Sequence, residues 1–295
     1  MLSFNFLQKS IEVLSLKPFK SIGIGVAYSP NLKANLFEAA RLSVFFKAKL
    51  ILIHVGEASE EKSNMLSIIL KSFEKDKLDY EVVFRPGQPV DVILSTCAEK
   101  KIDLLILGAV QRERLLKYYV GSIARKITRQ TKCSILLLIK PSVNRIPCEH
   151  IVVNGLKDPK TEQTITSAFY VAKHLKSNKV TIVEEINESQ VPVKVDDDKS
   201  LRRANIMKER IKLREHSRVN EIISHIPENY TKGKTIKLQP IFGTKGYSIG
   251  HYAQISRADL LVMNAPSKMN FWDRLFPHDI EHILTELPTD VLILQ

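Results

Sequence analysis

The chain has 295 residues, 44% of them hydrophobic and 26% charged, with 44 Lys+Arg against 32 Asp+Glu for a net charge of +12. That length fits two domains of ordinary size with cores large enough to stand without staples, which excludes a small disulfide-held or metal-held scaffold. Three cysteines, Cys97, Cys133 and Cys148, match no zinc or redox spacing and give no disulfide framework, so a reducing cytoplasm is the expected compartment.

Residues 1–20 carry scattered apolar side chains, with Leu7, Ile11 and Leu14 near helical spacing, and predict a short docked helix. A basic start, a continuous apolar stretch and a small-residue cleavage site are all missing, so no signal peptide is expected. No apolar run approaches the roughly 20 residues that span a bilayer. From residue 21 short apolar runs alternate with helix-period stretches. Strands are predicted at 21–28, 50–55, 80–84, 103–108 and 134–139, with helices over 33–47, 62–77, 88–100 and from about Gly121. A second set follows. Its strands are 150–154, 180–185, 235–242, 259–264 and 290–294; its helices are 161–175, 199–225, 247–257 and 278–287. Ile-, Leu- and Val-rich strands bounded by helices imply parallel sheets covered on both faces. The expected architecture is two doubly wound parallel five-stranded α/β domains in tandem, 1–145 and 146–295, divided where Pro141 and Pro147 punctuate a polar stretch.

The two sets share a register. One offset of 156 places Asp103-Leu104-Leu105 on Asp259-Leu260-Leu261, Ile127 on Ile283, and Ile135–Leu138 on Val291–Leu294 without a gap. A constant offset over that span is the mark of an internal duplication. The acidic tract Asp196-Asp197-Asp198 has no counterpart in the first half and reads as an exposed loop. Charge is also unequal. Residues 1–145 hold 23 basic and 13 acidic side chains, a net of +10, and residues 146–295 hold 21 and 19, a net of +2. The excess favours an anionic partner for the first half.

The segment 108–122 has the residue types of an anion-binding loop. Gly108 ends a strand, Gly121-Ser122 opens a helix, and 108–132 contains seven basic residues against the single acid Glu113. Glycines let backbone approach an oxyanion, a helix start presents N–H groups, and a serine adds a hydroxyl donor. A strand turn followed by a helix cap uses the same residues.

With these motifs the chain resembles the universal stress protein family in its tandem form, over about residues 19–295. The ATP-binding members carry G-x2-G-x9-G-(S/T), and Gly108, Gln111, Gly121 and Ser122 stand at those positions here. Arg112 matches the basic residue that often follows the second glycine. Arg85-Pro86-Gly87-Gln88-Pro89 is similar to the family's turn before the third helix, and Ser29-Pro30 to the turn after the first strand. The resemblance implies a nucleotide such as ATP or AMP in the first half, held by Gly108, Arg112, Gly121, Ser122 and the backbone of Val55. Two departures weigh against it: Gln111 replaces a glycine, and Ala27 stands where the family's adenine-contacting aspartate would fall. In the second half Asn264, Ser267, Pro277 and His278 occupy the four positions. Proline has no N–H to offer, so no nucleotide is expected there. In the family the last strands of two domains pair; 134–139 and 290–294 are apolar enough to do so here as an intramolecular pseudo-dimer, with a homodimer as a further option.

Other patterns read as structure. His278-Asp279-Ile280-Glu281-His282 matches H-x-x-E-H, but it lacks a downstream third ligand and is read as an ordinary last helix, without a metal. Phe271-Trp272-Asp273-Arg274-Leu275-Phe276 is an aromatic loop, read as packing into or covering a vacated cleft. The basic helix over 199–218 is a solvated crossover with Met207, Ile211, Val219, Ile222 and Ile223 as its buried face; no nucleic-acid motif accompanies it. His54 reads as a strand-end histidine. The function expected is a non-enzymatic cytoplasmic stress-response protein that binds unidentified protein partners. A slowly hydrolysing ATP switch is the alternative, and a detached relative of antiporter tail domains a third.

Overall fold

The computed structural model of the chain describes residues 18–112, 117–244, 246–265 and 278–295, the side chains of 111, 112, 117 and 278–281 excepted. The chain divides into two compact units. The first comprises Lys17–Pro147 with Leu284–Gln295, and the second includes Cys148–Ile283.

In the first unit the elements run β1 (Ser21–Gly25), α1 (Leu32–Phe46), β2 (Lys49–Val55), α2 (Glu60–Leu70), β3 (Tyr80–Arg85), α3 (Pro89–Glu99) and β4 (Leu104–Gly108). A short hairpin follows, β5 (Val110–Arg112) and β6 (Lys117–Tyr119), then α4 (Ser122–Gln130) and β7 (Ser134–Leu138). The sheet order β7-β4-β1-β2-β3 is parallel throughout. Its strands bury Ile22, Leu50–Ile53, Leu104–Leu107 and Ile135–Leu138 under helices, the pattern of a parallel sheet covered on both faces. Gly87, at φ 139°, makes the turn that leads into α3, with Pro89 at the helix start where a missing N–H costs nothing.

In the second unit the elements are β8 (His150–Asn154), α5 (Thr161–Leu175), β9 (Lys179–Ile186), α6 (Asp198–Ser224), α7 (Glu228–Thr231), β10 (Thr235–Phe242), α8 (Tyr247–Ile255), β11 (Leu260–Asn264) and α9 (His278–Thr285). Sheet order is β10-β9-β8-β11, again parallel. Pro240 lies in β10, which pairs with β9; an edge position is where a strand tolerates a proline. The last strand, β12 (Asp290–Leu294), belongs to the first unit. It pairs antiparallel with β7 in the register Val291↔Leu137, Leu292↔Leu136, Ile293↔Ile135, and Asp290 accepts the Ile139 N–H at 2.8 Å. The pairing of these two strands is the one the sequence predicts.

The internal repeat recurs as identical local physics. Asp103 accepts the Lys20 and Ser21 N–H groups at 2.8 and 3.1 Å, and Asp259 accepts those of Glu149 and His150 at 2.8 and 2.9 Å. Each aspartate ties the start of one strand to the start of its neighbour. Lys101 and Arg257, also 156 apart, both adopt left-handed φ at 50° and 51° to end their helices. The α1 and α5 helices, each of 15 residues, close on left-handed lysines, Lys47 and Lys176.

Two expectations are corrected. The 108–122 segment is not an open loop but carries the β5–β6 hairpin, in the register Val110↔Tyr119, Gln111↔Tyr118, Arg112↔Lys117. Val110, Tyr118 and Tyr119 are strand formers, and the chain after β6 is anchored by Val120 N–H to the Leu284 carbonyl at 3.0 Å. The buried residues of α6 are Ala204, Ile211, Glu215 and Val219, whereas Met207 is exposed. The acidic tract starts that helix: Asp197 accepts the Ser200 N–H at 2.6 Å and the Ser200 hydroxyl accepts the Asp197 N–H at 3.0 Å, a reciprocal cap. Cys97 and Cys133 are buried, as packed small side chains should be. The aromatic loop 271–276 lies outside the described residues.

Replacing Asp259 by Ala strands two backbone donors, and unfolding in urea is expected to show a loss of about 1–3 kcal/mol; Asp103→Ala should match it in sign. Asp197→Ala should cost about 0.5–2 kcal/mol through the lost cap. A neutral result at both aspartates of the repeat would contradict their tying role.

Candidate functional site

In the first unit β1 lies between β4 and β2, so the chain's direction of travel across the sheet reverses between β1 and β4. The crevice outside the carboxyl ends of those strands is where a doubly wound sheet receives ligands. Gly25 and Gly108 end the two strands, both exposed. A Cβ on Gly108 would meet nothing within 4 Å. Gly121 caps α4 and a Cβ there would come 3.3 Å from the Val110 Cγ2, so the helix start lies against the strand two residues past Gly108. Ser122 is the exposed first residue of α4, which has no acid in its first turn and carries Arg125, Lys126 and Arg129. Gly121 and Ser122 therefore lie beside the segment that continues from Gly108. Arg112 ends β5, opposite Lys117 in the hairpin. Val55 is half-buried at the end of β2, on the far side of β1 from Gly108.

Beside Val55 the sequence reading missed a cluster. His54 Nδ1 lies 3.0 Å from the Val26 carbonyl and its Nε2 lies 3.0 Å from Lys62 Nζ. A carbonyl only accepts and an ammonium only donates, so Nδ1 carries the proton and Nε2 the lone pair. Tyr28 meets the His54 ring edge-on at 5.0 Å, Lys62 sits over the Tyr28 ring at 5.6 Å, and Phe84 also meets the His54 ring edge-on at 5.6 Å. The Tyr28 hydroxyl is buried with no hydrogen-bond partner among the described residues, and burial raises its pKa. Ala27, the position the resemblance implies for an adenine-contacting acid, is exposed and offers no acceptor side chain.

The second unit has a cleft of about 250 Å³ at the carboxyl ends of β8 and β9, lined among others by Gly155, Glu184, Glu185, Arg214, Glu215 and Arg218. Glu184 follows the residue paired with Asn154, as His54 follows the residue paired with Gly25. Successive strand residues face opposite layers. Glu185 reaches α8, accepting the Gly246 and Ile249 N–H groups at 3.0 and 2.8 Å. Glu184 is on the α6 side, 1% exposed, with His216 Nε2 3.5 Å away, and neither carboxylate oxygen accepts a hydrogen bond among the described residues. Burial pushes its pKa up to about 7; nearby Arg218 pulls it down and Glu215 raises it further. Burial opposes the charge of Glu215 as well, but hydrogen bonds from Arg218 at 2.9 Å and Arg214 at 3.1 Å prevail and its pKa is lowered. Arg218 also donates to the Gly155 carbonyl. Gly155 has no room for a side chain: a Cβ would come 2.7 Å from Ile182 Cγ2 and 3.1 Å from the Val183 carbonyl oxygen.

Asn264 holds the position equivalent to Gly108 and donates to Asp158 at 3.3 Å, so a side chain fills what is open in the first unit. Ser267 and Pro277 lie outside the described residues. Among those residues no group of three potential metal ligands occurs, and no helix is long and apolar enough to cross a membrane.

Residues 56–138 match the model of the universal stress protein family. A universal stress protein of Methanocaldococcus jannaschii is 26% identical over 82 residues, which are 28% of this chain and 48% of that protein, so the match spans about half the relative's length. Among solved structures, a putative universal stress protein from Pseudomonas aeruginosa superposes with a TM-score of 0.67 at 16% identity, covering 94% of each chain. A universal stress protein from Archaeoglobus fulgidus superposes at 0.63 with 14% identity, covering 94% of this chain and 98% of that one. The structural likenesses extend the shared fold to both halves.

The carboxyl group of Glu184 gives stability a pH signature. Its folded pKa, about 7, lies above its ordinary 4.5, so its contribution is fully present below pH 4.5 and is lost as pH rises through 7. Glu184→Gln should therefore stabilise the protein at pH 8 by about 1–3 kcal/mol and change it little at pH 4.5, in urea unfolding at the two pH values. A destabilisation at pH 8 would show that the ionised form is the one the fold prefers.

Proposed function

We propose that this chain, a member of the universal stress protein family through residues 56–138, is a non-enzymatic stress-response protein that works by binding. On this reading the first half receives the phosphate end of an anion, ATP or AMP among the nucleotides, at Gly108, Gly121 and Ser122. Arg112 and the Val55 backbone complete the set, and protein partners read the bound state. The observation that carries it is the open space over Gly108 beside a helix start with no acid in its first turn and three basic residues along its length. Backbone N–H groups and positive potential meet there without a side chain in the way. Binding is preferred to turnover because His54, next to the end of β2, has both ring nitrogens engaged, one with Val26 and one with Lys62. A general base needs a free lone pair.

The test is calorimetric titration of the full chain with ATP and with inorganic pyrophosphate, with and without magnesium. Gly108→Val adds a side chain where a Cβ meets nothing, so the fold should keep its melting temperature while anion affinity falls at least about tenfold, some 1.4 kcal/mol. No binding by the wild-type chain, or equal binding by the variant, would contradict the assignment. Magnesium-dependent release of phosphate from ATP would favour the switch instead.

A further inference from the structure

We propose that the second-unit cleft is a binding site for a small organic cation carrying N–H donors, an alkylammonium or a guanidinium, with Glu184 as its acceptor. The inference stands on different residues from the anion site of the first half.

Three observations converge. First, Glu184 is 1% exposed and lines the cleft, yet both its oxygens lack a hydrogen-bond donor among the described residues. A buried carboxyl without a hydrogen-bond partner is costly, and its cost is relieved by a ligand that brings donors. Second, the other acids are already used. Glu185 takes two backbone N–H groups of the α8 turn, and Glu215 takes Arg214 and Arg218. The two arginines beside Glu184 donate instead to Glu215, Gln190 and the Gly155 carbonyl, and no donor of theirs reaches Glu184 among the described residues. The buried His216 Nε2 also makes no hydrogen bond, and it lies 3.5 Å from Glu184 Oε2. With its lone pair on Nε2, the imidazole can accept from the same ammonium that donates to the carboxylate. Third, the cleft measures about 250 Å³, below the roughly 300–1,000 Å³ of pockets for drug-sized ligands. It suits a small amine and not a nucleoside triphosphate.

The charged and titratable groups around Glu184 are His216, Glu215, Arg214 and Arg218 from α6 and Lys157 from the turn after β8, while Glu185 of its own strand lines the cleft but turns its carboxylate to α8. Of these, Lys157 and Arg214 are exposed cations at the lining, and they disfavour a cation at the rim but not at the buried end. Cation binding requires Glu184 ionised, so affinity should rise with pH.

The experiment is calorimetric titration of the full chain with 1,4-diaminobutane at pH 8 and pH 6, with sodium butyrate and ATP as charge-reversed probes. Diaminobutane should bind at pH 8 and weaken at least tenfold at pH 6. Glu184→Gln should lose at least tenfold at pH 8 while its circular dichroism is retained. Arg214→Glu, at a side chain 65% exposed, should tighten diaminobutane severalfold and serves if Glu184→Gln fails to fold. Absence of diaminobutane binding at millimolar concentration, equal affinity in Glu184→Gln, or binding of butyrate or ATP that Glu184→Gln strengthens would overturn the assignment.

Discussion

A parallel strand packed between two helix layers has no wet side, and the polar groups at its carboxyl end must find partners or remain in want of one. That constraint governs both halves of this chain. Strand β2 carries His54 one residue before its end, and β9 carries Glu184 and Glu185 just before its last residue. His54 is satisfied by a carbonyl on one nitrogen and an ammonium on the other. Glu185 is satisfied by the N-terminal turn of α8. Glu184 is the group left over, and burial rather than a neighbouring charge sets its proton affinity.

The duplication and the divergence of the halves follow different rules. The ties that start each strand are kept: Asp103 and Asp259 each accept the two backbone donors at the start of the neighbouring strand, and Lys101 and Arg257 end their helices in the same left-handed turn. These features hold the sheet, whatever it binds. The strand ends differ. Gly108 leaves space and Asn264 fills it. His54 faces Lys62 where Glu184 faces His216. Two copies of one frame thus present a donor-rich, basic crevice in one half and an acceptor-bearing cleft in the other.

Much of the frame was legible because its signals are local. Strand runs such as 104–108 and 134–138 are apolar and bounded by turn residues, and the offset of 156 aligned β4 with β11 and β7 with β12 residue by residue. The sites were less legible. Gly108 and Gly121–Ser122 could be named from spacing, but the β5–β6 pairing between them is followed by a tether from Val120 to Leu284, a contact far along the chain. The burial of Glu215 could not be read from a helix as basic as α6, where apolar Met207 faces outward and a glutamate faces in. The signal available was the pair Glu184-Glu185 at the end of a strand expected to be covered on both faces. Alternation sends one to each layer, and each then needs an answer from its own helix.

The central claim is that the two halves, alike in frame, have opposite ligand preference at the carboxyl ends of their strands, an anion at β4 in one and a cation at β9 in the other. The most direct measurement is a crystal structure of the full chain grown with inorganic pyrophosphate and magnesium. The account predicts the anion at the carboxyl end of β4 against the start of α4, and none in the cleft at Glu184. Pyrophosphate bound beside Glu184, or in both halves alike, would contradict it.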